Sequence, residues 1–413
     1  MAKIILHIDL NKFFVRCEEL KDNSLVGKPV AVGGDGRRGI VSTCSYEARK
    51  YGIHSGMPMF QAKMLSKELI VKECDFKFYE LMSKEFFHKV NSLTNKVEQM
   101  SIDECFCDVT DVVKKKRISD VVGWLTNFQE DLAQTTGLYC SIGVATTKFL
   151  AKMGSDIKKP MGITVIRNKD IENIIFPLPI SSFFGIGKKT YPKLERAGYK
   201  TIGDLYFGLK NNDEKLNTFF GDFKFDIISQ LEGRSSNIVH TNFDDPKSLG
   251  MTRTMNYDTN DKIVIKQFFE NIIDNLLFDF KKKDMLTKTV QITYKSANYD
   301  TNFRQSTICK TLGEYTDDVN LIKKVALKVF DDSYKGEEIR LIGCTLKNLK
   351  SKHNVSIQMT FDNYEKHESD NKVGLLINRL NREANKDIFI RLSDLKDKKH
   401  GNKWCYWSFS TIL

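Results

Sequence analysis

The sequence predicts an α+β chain of several domains, and three patterns predict it. Between residues 3 and 158, short apolar runs of strand length alternate with stretches of helical spacing, suggesting a sheet backed by helices on one face. Pro177 and Pro179 then mark a boundary, and residues 181–233 read as a small helical unit. After a polar linker at 234–247, which contains Pro246, a second α+β unit occupies 248–349. A chain of 413 residues has room for roughly two to four such domains.

Taken in order, residues 3–10 read as a buried strand. Apolar spacing turns helical over 11–20, at Phe13, Phe14, Cys17 and Leu20. Segments 28–33 and 39–44 read as short strands bracketing a glycine-rich turn. Helices are predicted over 46–51, 59–67 and 81–94. The run 97–110 reads as strand, turn, strand, with Ser101-Ile102-Asp103-Glu104 at its bend. A helix at 118–135, a strand at 139–145 and a basic helix within 146–158 follow, and Lys159-Pro160 ends that helix. In the second α+β unit, helices are predicted over 263–280 and 318–331, and strands over 288–295 and 339–347. From Lys350 the chain is a polar tail with one short apolar motif and an amphipathic stretch at 373–384.

Composition narrows the classes of function. No apolar run approaches the roughly 18 residues of a membrane span. The N-terminus lacks the long apolar run and small-residue cleavage site of a secretory signal. The nine Cys are scattered, and the one close pair, Cys105 and Cys107, has no second pair with which to hold zinc. Reduced core thiols in a cytoplasmic protein are therefore expected. Net charge is +11. It favours an anionic partner. From Cys140 to Lys200 there are eleven Lys/Arg against four Asp/Glu.

The chemistry is carried by carboxylates. Asp9 lies inside an apolar strand, where an ionised group is costly unless a cation compensates it. Asp103 and Glu104 are adjacent, so they reach one site only if the backbone bends; read alone, the pair is equally an exposed acidic turn. Carboxylates converging from two strands would suit Mg²⁺, which takes oxygen ligands and is shared with substrate phosphates. Two such ions about 3.5–4 Å apart serve in-line phosphoryl transfer. Phe13 reads as core. Phe14 is either core or a platform under a nucleotide sugar, where it would leave no room for a ribose 2′-OH. Tyr46 and Arg49 share a helical face suited to a polyphosphate. Lys148 and Lys152 share another face, and Lys159 is fixed before Pro160. Phe184-Gly185-Ile186-Gly187-Lys188-Lys189 between helical segments is similar to a helix-hairpin-helix that contacts DNA backbone without reading sequence.

In this order the motifs resemble the Y-family, or translesion, DNA polymerases, on the DNA polymerase IV (DinB-type) branch. Ile-Asp-Leu-Asn-Lys-Phe-Phe at 8–14 is similar to that family's first metal motif and sugar gate, and Ser-Ile-Asp-Glu at 101–104 to its second metal motif. Gly-Lys-Pro-Val-Ala-Val-Gly-Gly at 27–34 and Ser-Thr-Cys-Ser-Tyr-Glu-Ala-Arg-Lys-Tyr-Gly at 42–52 resemble its fingers. Lys-Lys-Pro-Met-Gly at 158–162, Phe-Gly-Ile-Gly, and Ser-Leu-Gly-Met-Thr-Arg-Thr at 248–254 resemble the end of the palm, the thumb and the opening of the little finger.

The resemblance implies a right-hand fold: palm at 1–20 and 77–169, fingers at 21–76, thumb at 170–233, linker at 234–247, little finger at 248–349, and a tail at 350–413. It implies a template-directed DNA polymerase of low fidelity, without proofreading. Asp9, Asp103, Glu104 and the Leu10 carbonyl would hold two Mg²⁺, Phe14 would be the steric gate, and Thr43, Tyr46, Arg49 and Lys159 would hold the dNTP triphosphate. Gly185, Gly187, Lys188, Lys189 and Arg253 would grip primer–template DNA. Small residues around Gly34, Ser42 and Gly56 would form a loose roof, into which Ile40 intrudes. Asn11 stands where many relatives have Asp. Gln358-Met359-Thr360-Phe361 resembles peptides that dock on a sliding clamp. The protein is expected to act as a monomer. The rivals are a nucleotidyl cyclase, which the hairpin motif and basic 248–349 unit oppose, and a silent DNA- or clamp-binding scaffold, which the three carboxylates oppose.

Overall fold

The structure is a computed structural model that describes residues 3–241, 245–297 and 305–352. The chain divides into two compact units, Met1–Asp244 and Asp245–Leu413. The division falls within the stretch read as a linker.

The first unit opens on β1 (Ile5–Leu10), whose period-two pattern sends Leu6, Ile8 and Leu10 into one core and Ile5 into another. His7 and Asp9 therefore share the face of Ile5. After a turn in which Lys12 adopts a left-handed backbone (φ 45°), α1 (Phe13–Lys21) follows. Next come β2 (Val30–Gly33), β3 (Val41–Cys44), α2 (Tyr46–Lys50), α3 (Met59–Leu65) and β4 (Ile70–Lys72). Their three strands pair in the order β3-β2-β4 over a core of Ala31, Val41, Cys44, Ala48, Ile53 and Met59. Strand β4 was not expected. α4 (Phe76–Leu93) begins before its predicted start because the Asp75 carboxylate accepts from the Phe78 N–H at 3.2 Å, capping an earlier turn.

β5 (Val97–Gln99) and β6 (Glu104–Asp108) form the predicted hairpin. α5 (Thr110–Lys115), α6 (Val121–Thr136), β7 (Cys140–Ala145), α7 (Lys148–Ile157) and β8 (Ile163–Ile166) complete the layer. The main sheet has the order β5-β6-β1-β7-β8, with β1 antiparallel to both β6 and β7. Helices were expected on one face, and they cover both. α4 and α6 pack Phe86, Val90, Leu125 and Leu132 against Leu6, Ile8, Cys105, Cys107 and Ile142. On the other face α7 packs Phe149, Leu150 and Met153 with Ile5, Phe106 and Ala145. The cause is glycine: a Cβ on Gly143 of β7 would overlap the Ala151 carbonyl of α7, so only Gly admits the helix so close.

α8 (Ile171–Ile174), α9 (Tyr191–Arg196), α10 (Ile202–Lys210), α11 (Glu214–Phe220) and α12 (Phe223–Leu231) surround Leu194, Ile202, Leu205, Leu216 and Ile227, and their core is continuous with that of α7. Part of the expected linker is built into this unit. The Lys148 N–H donates to the Ser236 carbonyl (3.2 Å), Lys3 Nζ to that of Asn237 (2.9 Å), and the His240 N–H to Glu98 Oε2 (2.9 Å). Main-chain anchoring of this kind leaves no side-chain period to read.

The second unit contains β9 (Ser248–Thr259), α13 (Lys262–Lys281), β10 (Met285–Ser296), β11 (Gln305–Thr316), α14 (Val319–Ser333), β12 (Ile339–Lys347) and the short β13 (Lys350–Ser351). The antiparallel sheet runs β11-β10-β12-β9. Val290, Ile292, Ile342 and Cys344 pack against Phe269, Phe280 and Phe330 of the helices. The two central strands were predicted. The edge strands β9 and β11 were not, because an edge buries too little to show an apolar run, and β11 has no fully buried residue. Among the described residues no helix is long and apolar enough to cross a membrane.

Candidate active site

Strand register builds the site. Asp9 lies opposite Glu104 on β6 and opposite Ser141 on β7. The two carboxylates therefore come side by side on the face that α7 covers. Asp103 sits in the bend just before β6: its carbonyl accepts from the Leu10 N–H (2.9 Å), and its carboxylate accepts from Ser101 Oγ. Burial pushes the Asp103 carboxyl up, opposed by the Ser101 hydrogen bond, and the negative charges of Asp9 and Glu104 push it further up. The sequence led us to expect three converging carboxylates. The structure pairs Asp9 with Glu104, and Asp103, its side chain tied to the bend by Ser101, stands near enough for both charges to act on it.

Two lysines neutralise the pair. Lys152 Nζ, on α7, lies 2.8 Å from Glu104 Oε2 and 3.2 Å from Asp9 Oδ2. Lys159 Nζ lies 2.9 Å from Asp9 Oδ1 and 2.7 Å from Asp156 Oδ1. Despite burial, which works the other way, these carboxylates raise the pKa of both lysines. Lys148 shares the helical face of Lys152 but is drawn off to Glu98, at 2.7 and 2.9 Å. Under the carboxylates lies His7, 1% exposed, with Nε2 3.2 Å from Glu104 Oε2 and Nδ1 2.8 Å from Ser155 Oγ. Glu104 is held down at about 2, first by the His7 hydrogen bond and then by Lys152, against burial. His7 and Ser155 were missed as site residues, and Lys152 was read only as part of a basic helical face. The i,i+3 spacing of Lys152 and Ser155 on one helix was the available signal.

Around this centre the other predicted residues take their places. The Phe14 ring packs against Tyr79 and, edge-on, Phe76. The Arg49 guanidinium lies 4.9 Å from the Tyr46 ring centroid. Burial raises the Tyr46 hydroxyl, opposed by the positive charges of Arg49 and Lys159, so these three form one polar corner. Thr43 is half-buried on β3, opposite Val32. Asn11 is 3% exposed; its Oδ1 accepts from the Met161 N–H (2.8 Å) and its Nδ2 donates to Ser141 Oγ (2.9 Å). It thereby ties the turn carrying Lys159 to the end of β1. Gly34, Ser42 and Gly56 are exposed, as is Ile40.

In the helical part, Phe183 and Ile186 are buried while Gly185, Gly187, Lys188 and Lys189 are exposed. Gly185 is left-handed (φ 104°), with open space where a Cβ would stand. In the second unit Arg253 is half-buried on β9, at a position of the same parity as the core residues Met251 and Met255. The clamp motif at 358–361 and the amphipathic stretch at 373–384 lie outside the described residues.

A sheet with paired carboxylates at one strand end, beside a polar corner of Tyr46, Arg49 and Lys159, has the residue types that suit a nucleotidyl transferase. Comparison with known proteins gives the family. Residues 8–156 match the impB/mucB/samB family, and residues 246–359 match its C-terminal domain. The chain is 34% identical over 389 residues to DNA polymerase IV of Oceanobacillus iheyensis, covering 94% of this chain and 90% of that one. It is 32% identical over 409 residues to DNA polymerase IV 1 of Bacillus subtilis, covering 97% and 95%. Among solved structures, a Y-family DNA polymerase chimera, Dbh-Dpo4(243-245)-Dbh, superposes with a TM-score of 0.72 at 24% identity, over 84% of this chain and all of that one. A Dbh ternary complex matches with a TM-score of 0.59 at 25% identity, over 84% and 99%. The chain belongs to the Y-family of DNA polymerases, on the DNA polymerase IV branch.

Proposed function

We infer that this chain extends a primer on a DNA template by metal-dependent nucleotidyl transfer at Asp9, Asp103 and Glu104. As a Y-family member it is a DNA-directed DNA polymerase of translesion synthesis. The supporting observation is the side-by-side pair Asp9 and Glu104, partly buried and neutralised by two lysine ammonium groups. Such a charge requires cations.

The carboxylates fit Mg²⁺, which takes hard oxygen ligands: oxygens of Asp9 and Glu104 lie within 4.8 Å of each other. Asp9, Asp103, Glu104 and the Leu10 carbonyl would hold two ions. Bound there, they would supply a lowered pKa at the primer 3′-hydroxyl and charge neutralisation at the departing pyrophosphate. The chain's own groups orient the substrate. Arg49, Tyr46, Thr43 and Lys159 receive the triphosphate oxygens, Lys159 exchanging Asp9 for phosphate. Phe14 lies under the sugar and excludes a 2′-hydroxyl. The exposed roof at Gly34, Ser42 and Gly56 leaves a loosely bounded base pair, which suits damaged templates. The primer hydroxyl attacks the α-phosphate and pyrophosphate leaves.

The palm is assigned to 1–20 and 77–169, the fingers to 21–76, the thumb to 170–233 and the little finger to 248–349. Gly185, Gly187, Lys188, Lys189 and Arg253 are the proposed DNA contacts. The motif at 358–361 is the proposed attachment to a sliding clamp, and the working form is a cytoplasmic monomer.

Primer extension on an undamaged template with Mg²⁺ and dNTPs tests the reading. Wild type should extend the primer and Asp103→Ala should not. A folded wild-type protein that binds primer–template DNA without extending it would favour a scaffold instead.

A further inference from the structure

The buried histidine has no part in the scheme above, yet it contacts Glu104 directly. His7 lies opposite Phe106 on β6 and Gly143 on β7, so it occupies the floor of the sheet beneath α7. Its ring packs 4.8 Å from that of Phe106. One nitrogen meets Glu104 Oε2 at 3.2 Å and the other meets Ser155 Oγ at 2.8 Å. Ser155 Oγ also lies 2.9 Å from the Lys152 carbonyl, so its one proton has two acceptors in reach. The outcome at Nε2 is the same either way. An ionised carboxylate only accepts, so Nε2 carries the hydrogen and donates it to Glu104.

We propose that His7 is a positioning residue for metal binding: Ser155, on α7, orients the ring, and Nε2–H holds Oε2 of Glu104 so that the carboxylate is aimed before the metal arrives. This rests on the assignment of Asp9 and Glu104 as metal ligands. Partners of this kind orient ligating groups, and their loss typically costs about 10–100-fold in metal affinity or activity. The alternative role, His7 as a ligand itself, would place a nitrogen on a metal that prefers oxygen.

Two substitutions separate the roles. In His7→Gln the side-chain amide can place an N–H near the position of Nε2. In His7→Asn the shorter amide reaches only the region of Nδ1. We would measure Mn²⁺ binding to the full chain by electron paramagnetic resonance, without nucleotide, alongside thermal melts. Kinetics would separate kcat from KM for dNTP. His7→Asn should bind Mn²⁺ roughly 10–100-fold more weakly and lose kcat by a similar factor, with KM for dNTP little changed; His7→Gln should stay within about threefold of wild type. Equal losses in the two variants would make the ring itself a ligand and overturn the proposal. Wild-type binding in both would make it core filling, with the same result. Should both variants fail to fold, Ser155→Ala carries the test, since it leaves the ring and removes its anchor. Mn²⁺ binding several-fold weaker is then expected, and unchanged binding would overturn the proposal. Asp9→Ala is the separate control: if it binds Mn²⁺ like wild type, the metal-site assignment itself fails, whatever His7 does.

Discussion

Phe14 stacks on Tyr79 with ring centroids 4.4 Å apart and planes 15° from parallel. Tyr79 is fully buried, and its hydroxyl donates to Glu18 Oε1 at 2.6 Å. The proposed sugar gate thus rests on a ring fixed by packing and by a hydrogen bond. A rigid wall excludes a hydroxyl better than a mobile one. Phe14→Ala should lower the preference for dNTP over rNTP by roughly 100-fold. Competing single-nucleotide insertion kinetics measure this, and an unchanged ratio would remove Phe14 from the gate.

Lys152 compensates Asp9 and Glu104 together. Removing one partner of a buried ion pair typically costs about 3–5 kcal/mol, because charge is left uncompensated. Lys152→Met should therefore melt lower than wild type in EDTA. Millimolar Mg²⁺ should restore more of its melting temperature than it adds to wild type, since the metal replaces the missing cation. Scanning calorimetry with and without chelator checks both.

Gly143 lets α7 sit against β7. Gly143→Ala should cost roughly 1–3 kcal/mol, as overpacking of a well-packed core does. It should also reduce primer extension, because the displaced helix carries Lys152 and Ser155. Urea unfolding gives the stability term.

In the second unit, Lys262 and Lys266 of α13 pair with Asp331 of α14, at 2.9 and 3.0 Å. The Asp331 carboxyl is lowered, first by the Lys262 hydrogen bond. A lowered folded-state pKa adds stability above the unfolded value, and that stability is lost as pH falls through the folded one. Asp331→Asn should destabilise by at most about 1 kcal/mol at neutral pH, since the cluster is partly exposed. The difference should shrink as pH falls below roughly 4. Denaturant titrations of both proteins across that range test the sign.

Lys188 and Lys189 are exposed beside Gly187. If they contact phosphates, replacing either with Ala should weaken primer–template binding about equally for every sequence and reduce the salt slope by about one. Fluorescence anisotropy at several salt concentrations would show this, and an unchanged slope would place the lysines away from DNA.

The sequence by itself determined the α+β class, the main strands and helices of both units, and the residue types of the site. Asp9 betrayed itself as a charge inside an apolar strand, and Tyr46 with Arg49 showed a shared helical face. Periodic burial leaves such traces because each residue's environment is written in its immediate neighbours. The tertiary structure decided what depends on residues far apart in the chain. Register β1–β6 set Asp9 beside Glu104, and α7 crossed the same face, bringing Lys152 and Ser155 over His7. The helix itself was expected within 146–158, but no local pattern announces which face it covers, because its close approach depends on the missing side chain of Gly143 on another element. The edge strands β9 and β11, and the strap at 236–240, stayed hidden for a related reason: main-chain hydrogen bonds hold them, and backbone atoms are the same in every residue.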